Sequence, residues 1–196
     1  MTNPTHTTVL GRGEAAAPLM ELFDARTRNT VRFADAAAWI VASATAHAVK
    51  DCKELGDLRD AIGIVTVSSE GPQGAMAEVE EGGKEGFSSP LRYAASSPGS
   101  LAGVSCIAFG FRGPTLNVTM PLPEGIPVAA FMCSVWLSSQ AAKMMVLATL
   151  KKTASGEKLG RALLLSPERN GGPGDLLDAQ ALAWLEGKEP PGGGRA

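Results

Sequence analysis

The sequence predicts an α/β domain built on a largely parallel sheet. Three observations point there. Residues 61–68, AIGIVTVS, form a continuous apolar run with β-branched residues, the pattern of a strand buried on both faces. Further strands read at 143–150, KMMVLATL, and 160–165, GRALLL. Stretches of helical length and composition separate these strands, and strands that alternate with helices make a layered α/β domain.

The elements follow in order. Residues 6–10 read as a first strand ending at Gly11-Arg-Gly13. Residues 20–33 mix charged and apolar residues, which predicts a hairpin or an irregular connection. Residues 34–50 predict a helix, alanine-rich, with Ala36, Ile40, Ala44 and His47 near one face. After the 61–68 strand, residues 71–81 predict a helix that Gly82-Gly83 ends. Ser88-Ser89-Pro90 opens another segment, and a small-residue helix runs from Pro98 to about Phe109. A loop at 110–114 leads into a short strand at 116–119. An apolar helix then spans 125 to about 139. Beyond 165 the composition changes: 170–174 is glycine-rich, 175–186 predicts a helix with Leu176, Leu177, Leu182, Trp184 and Leu185, and PPGGGRA reads as disordered. That helix has too many large apolar residues for water, so it packs on its own domain or on a partner. The organisation expected is one domain over 1–168, then a linker, short helix and tail over 169–196.

Composition excludes several classes of function. The chain has 196 residues, long enough for a real core, and 44% hydrophobic with 19% charged residues is the balance of a soluble globular protein. A net charge of −2 gives no electrostatic case for nucleic acid, and no polybasic run suggests an anionic membrane. The N-terminal residues show neither a basic flank nor a long apolar run, so no signal peptide is expected, and no apolar stretch reaches the length of a membrane span. Cys52, Cys106 and Cys133 are scattered, without a Cys-x-x-Cys. They read as reduced, mostly buried thiols of a cytoplasmic protein rather than a disulfide framework or zinc site.

Candidate catalytic residues are few. His6 and His47 are the two histidines, and His47 reads as a packed or surface residue. Cys133 lies in AAFMCSVW among large apolar groups and reads as a core thiol, as does Cys106. Ser96, Ser97 and Ser100 have no neighbouring histidine and no Gly-x-Ser-x-Gly elbow. Gly71-Pro-Gln-Gly74 is too short to cradle a phosphate. Glu78, Glu80, Glu81 and Glu85 read as a solvated face. No metal and no cofactor is expected.

One stretch carries a family resemblance. Ser89-Pro90 is followed by Ala102-Gly103-Val-Ser105-Cys-Ile107-Ala-Phe-Gly110. Then come the turn Arg112-Gly113-Pro114, the strand Leu116-Asn117-Val118-Thr119, Pro121-Leu122-Pro123 and the helix from Gly125. This resembles the N-terminal half of β-ketoacyl synthases, in the thiolase-like fold, and the likeness extends over 6–167. It implies a three-layer α/β/α domain with a mixed, mostly parallel five-stranded sheet. In that family a strand-to-helix elbow carries a cysteine whose thiolate the helix N-terminus stabilises. The alignment places Leu122 at the nucleophile, and a leucine cannot attack a thioester. Pro121 and Pro123 also remove two backbone donors near an oxyanion. The family's two catalytic histidines belong to its second half, and both histidines here lie upstream of the elbow.

The resemblance therefore implies a non-catalytic subunit of the chain-length-factor type. Such factors resemble ketosynthases, lack the cysteine and pair with an active, full-length β-ketoacyl synthase as a heterodimer. Some, in aryl-polyene clusters, are shortened to little more than the N-terminal half. The fuller factors often place Gln where Leu122 sits, and this chain departs from them there. The expected role is in type II polyketide or fatty-acid-like synthesis, with an acyl carrier protein as an indirect partner. The interface expected is Leu116, Asn117, Val118 and Thr119, an edge strand that something must cover. Phe131, Met132 and Val135, with Met76 and Val79, are the expected acyl-tunnel wall. Two alternatives remain: a small acyltransferase or hydrolase with an atypical nucleophile such as Cys133, and a self-associating module that binds an acyl chain or carrier protein.

Overall fold

The computed structural model describes residues 7–87, 89–167 and 177–188. Five strands form one sheet: β1 (Thr7–Ala15), β2 (Ile62–Val67), β3 (Thr115–Val118), β4 (Met144–Lys152) and β5 (Lys158–Pro167), in the order β1-β5-β4-β2-β3. β2 is parallel to both β3 and β4, and β5 is antiparallel to both β4 and β1. Four strands thus run one way and β5 runs against them. The sheet is mixed, mostly parallel and five-stranded, as expected. All six residues of β2 are buried, which its unbroken apolar run requires.

Among the described residues eight α-helices accompany the sheet: α1 (Ala25–Thr30), α2 (Ala36–Val49), α3 (Leu55–Leu58), α4 (Gln73–Lys84), α5 (Pro90–Ala95), α6 (Ser100–Phe109), α7 (Leu122–Ser138) and α8 (Ala179–Glu186). α2 and α6 cover one face of the sheet, where Ile40, Val41 and Leu101 pack with Ile64, Val146 and Leu164. α7 and α8 cover the other, where Ile126, Cys133 and Leu185 pack with Val65, Leu147 and Leu163. The result is three layers, α/β/α.

Several boundaries move for identifiable reasons. β1 continues through its glycines to Ala15, because Gly11 and Gly13 let the strand lie against the backbone of α2. A Cβ at either would sit 2.0 Å from a carbonyl oxygen, of Ala48 and Ala44 respectively. α2 is buried almost all round between the sheet and α6, so the single face expected for it is replaced: Ala36 is exposed and His47 half-buried. α4 runs through Gly82-Gly83 to Lys84, and Gly86, with φ 83°, takes the left-handed position that ends the turn. Residues 20–33 hold a short 3-10 turn and α1, not a hairpin.

α8 packs on its own sheet. Asp178 caps its start by accepting from the Ala181 N–H at 2.6 Å. At its other end the strands satisfy the free carbonyls: Thr149 donates to Leu185 at 3.2 Å, Lys151 to Glu186 at 3.2 Å, and Arg161 to Trp184. The Trp184 ring also lies within 5.7 Å of the Arg12 guanidinium and 5.1 Å of that of Arg161. The glycine-rich 170–174 stretch, the expected helix start at 175–176, the 168/169 boundary, His6 and the 190–196 tail lie outside the described residues.

Candidate functional site

The parallel strands β2, β3 and β4 end on one side of the sheet, and α4 and α7 start there. Ligands bind at such carboxyl ends in open α/β sheets. The corner is fixed by one residue that the sequence does not single out. Asp35, its side chain 2% exposed, accepts from the Ala37 N–H at 2.6 Å and from the Ala75 N–H at 2.7 Å. It caps α2 and anchors the first turn of α4 with one carboxylate, while the Lys158 ammonium stands 3.7 Å away. Nothing local in the sequence pairs position 35 with position 75.

Among the described residues, β3 is an edge strand, hydrogen-bonded to β2 alone. Its ladder runs from the Ile64 N–H donating to Pro114 to the Ser68 N–H donating to Val118. The strand therefore ends at Val118, one residue earlier than expected, and Thr119 lies exposed beyond it because β2 offers no further partner. Leu116 is half-buried against the α7-side core, Val118 is buried, and the Asn117 amide oxygen accepts from the Thr66 hydroxyl.

The turn after β3 differs from the sequence expectation. The helix expected from Gly125 begins at Leu122, so Pro121-Leu122-Pro123 is the helix start. Pro121 is the N-cap, with φ −55° and ψ 146°, and Leu122 is the first helical residue. Proline suits these positions because their N–H groups have no intrahelical partner. Leu122 thus stands at the strand-to-helix junction, half-buried and packed toward the α7-side core. The backbone there is relaxed: among the described residues the one non-glycine with positive φ is Gln140, at 60°. A sharp nucleophile-presenting elbow stores strain, and this one does not. Glu124 adds a carboxylate to the first turn, which suits the helix dipole and repels an anion.

The other nucleophile candidates are disarmed by burial. Cys133 is fully buried on α7, and burial pushes its thiol far up. Burial also raises Cys106, against a smaller opposing effect from the Thr115 hydroxyl 3.7 Å away. His47 places Nδ1 3.0 Å from the Glu14 carbonyl. Glu78 pairs with Arg92 at 2.6 Å, and Lys84 stands 3.1 Å from Glu80 and 3.5 Å from Glu81.

α7 divides into two faces. Ile126, Ala129, Ala130, Cys133 and Leu137 are buried against the sheet. Val128 and Phe131 are 44% and 50% exposed, and Met132 and Val135 are half-buried outside that core. The spacing 128, 131, 132, 135 makes one outward apolar stripe. On α4, Met76 is exposed and Val79 half-buried. α4 packs against α5, whereas α7 packs on β2 and β4. Among the described residues no helix is long and apolar enough to cross a membrane.

No protein-family model matches the chain, and no curated protein matches it. Solved structures do. The AntDE:AntF complex, a type II PKS acyl-carrier protein with its ketosynthase bound to the hexaketide, matches with a TM-score of 0.68 at 16% identity, over 85% of this chain and 64% of that one. The fold is that of the ketosynthases and chain-length factors. The ketosynthase ApeO in complex with its chain-length factor ApeC, from Xenorhabdus doucetiae, matches with a TM-score of 0.64 at 14% identity, over 93% of this chain and 90% of that one. The ishigamide ketosynthase/chain length factor gives 0.64 at 12% identity, over 86% and 64%. The chain thus spans less than two thirds of the AntDE:AntF and ishigamide chains and most of the matched chain from the ApeO–ApeC complex.

Proposed function

We propose that this chain is a non-catalytic, chain-length-factor-like subunit that pairs with an active β-ketoacyl synthase. One observation supports the reading: a strand and a helix of the ketosynthase-like fold meet at a junction occupied by Leu122 between two prolines, where the resemblance would put the nucleophile. The partner's cysteine would hold the growing acyl chain, delivered by an acyl carrier protein in type II polyketide, aryl-polyene-like or fatty-acid-like synthesis. This subunit would cover the partner through the β3 edge, Leu116 to Val118, and Thr119 just beyond it. The outward stripe of α7, Phe131, Met132 and Val135, with Met76 and Val79 of α4, would close the acyl tunnel and set product length. The burial of Cys133 speaks against an atypical thiol nucleophile.

Co-expression with a ketosynthase and carrier protein from the same organism tests this. The expected result is a co-purifying heterodimer whose product lengthens with Phe131→Ala, because the truncation removes bulk from the wall. A chain that purifies alone, or as a homodimer in the presence of the synthase, overturns it.

A further inference from the structure

On the α6 side of the molecule, away from α7, lies a mainly apolar groove of about 350 Å³. It runs between the segment that follows α1 and the outer surfaces of α5 and α6. Val104, 2% exposed, is its deepest residue. Val31 and Phe33 line one wall, and Leu91 and Ile107, 58% and 50% exposed, stand at the mouth. A concave surface flanked by exposed aliphatic side chains is a characteristic setting for a small apolar ligand.

Two polar features define the head group that such a ligand needs. Arg32 lines the groove with its guanidinium 4.8 Å from the centre of the Phe33 ring, and among the described residues no carboxylate pairs with it. Among the described residues its guanidinium makes one side-chain hydrogen bond, long at 3.4 Å, to the uncharged amide oxygen of Asn29. Ser100 also lines the groove, and its hydroxyl is closed to solvent without a hydrogen-bond partner among the described residues. Gly103 lines it as well, and a Cβ there would meet nothing within 4 Å, so the groove is open at that point.

We infer that this groove binds an aliphatic carboxylate of medium chain length, its hydrocarbon along Val104, Leu91 and Ile107 and its carboxylate on Arg32. Charge complementarity selects the head group: a neutral head leaves the guanidinium unpaired and a cationic one is repelled. The volume lies near the lower end of the ~300–1,000 Å³ usual for ligand pockets, which suits a decanoate-sized chain rather than a long lipid. The site lies on the face of the sheet opposite α7, so it is independent of the proposed acyl wall.

Titration calorimetry on the purified full chain, with decanoate, decanol and decanoyl-pantetheine, tests it. Decanoate is expected to bind. Gly103→Leu, which fills the open part of the groove, is expected to weaken decanoate by about tenfold or more, with a thermal melt no lower than that of the natural chain because a glycine inside α6 is replaced by a better helix former. Arg32→Gln is expected to weaken decanoate by about fivefold and to leave decanol unchanged. Ile107→Trp at the exposed mouth repeats the blockade should Gly103→Leu fail to fold. Absence of decanoate binding, or equal affinity in both blocked variants, overturns the inference. Decanoyl-pantetheine binding as tightly as decanoate overturns the carboxylate assignment. A blocked variant that keeps decanoate but releases a co-purifying protein marks the groove as a protein contact and overturns it too. None of these failures touches synthase pairing, which the co-expression experiment reads separately.

Discussion

Replacing Asp35 by alanine removes one carboxylate and, with it, the acceptors of two helix N-termini. The Ala37 N–H loses an N-cap bond, worth about 1 kcal/mol. The Ala75 N–H loses a buried bond to a charged acceptor, worth about 1.5–3 kcal/mol. With both amides left unsatisfied, the expected cost is about 2.5–4 kcal/mol, or a fall of about 5–16 °C in Tm for a chain of this size. The Lys158 ammonium stands 3.7 Å off with its side chain 25% exposed, so Lys158→Met should cost under about 1 kcal/mol. Gly74 supplies the sharper test. A Cβ there would lie 2.7 Å from Asp35 Oδ2, so Gly74→Ala must displace the carboxylate that holds Ala75. In the natural chain it should destabilise by about 1–2 kcal/mol, more than the helix propensity gained. In the Asp35→Ala background the obstacle is gone, and the same change should stabilise by up to about 1 kcal/mol. Thermal melts and urea titrations followed by circular dichroism measure all four corners of the cycle. Gly74→Ala with the same sign and size in both backgrounds refutes the reasoning, and so does Asp35→Ala with a Tm shift below about 2 °C.

Further expectations concern the junction, the thiol and the tail helix. Leu122→Cys should not accept an acyl group from an acyl-pantetheine thioester, since Pro121 and Pro123 offer no N–H and Glu124 opposes a thiolate; an acyl adduct by intact-protein mass spectrometry would contradict this. Cys133, raised by burial, should resist iodoacetamide near pH 8 in the native protein and react in urea, with mass spectrometry of the digest locating the label. Leu185→Ala should cost about 2–5 kcal/mol by denaturant titration, because that side chain is fully buried against the sheet; a value under about 1 kcal/mol would show α8 to be a loose appendage.

Much of the fold was legible where local pattern and burial agree. The β2 run and the alanine-rich α2 both announce buried elements, and both lie at the centre of the domain. The features that escaped depend on partners distant in sequence. The double cap at Asp35 needs the Ala75 amide, 40 positions away. The groove joins the segment after α1 to α6, and no periodicity reports such a pairing. The helix expected from Gly125 starts three residues earlier, at Leu122, because proline is well suited to the first positions of a helix. The apolar tail helix announced that it must be covered. That its own sheet covers it follows from Thr149, Lys151 and Arg161 lying on neighbouring strands, β4 and β5.

The two sheet edges bear on where a partner would sit. β1 carries a register shift between Val9 and Gly11, and two exposed charged residues lie along it, Arg12 beside the Trp184 ring and Glu14 paired with Arg161 at 2.6 Å. Bulges and edge charges both discourage strand addition. β3 is Thr-Leu-Asn-Val, uncharged and without a bulge, so its shortness is its main safeguard. It leads directly into α7, whose outward stripe sets Val128 and Phe131 in water. A partner that covered only the strand would leave that stripe wet, and one that covered only the stripe would leave the strand's hydrogen-bonding groups open. One surface that did both would remove both costs together, and this is the geometric argument for a single large partner on that edge rather than two small ligands.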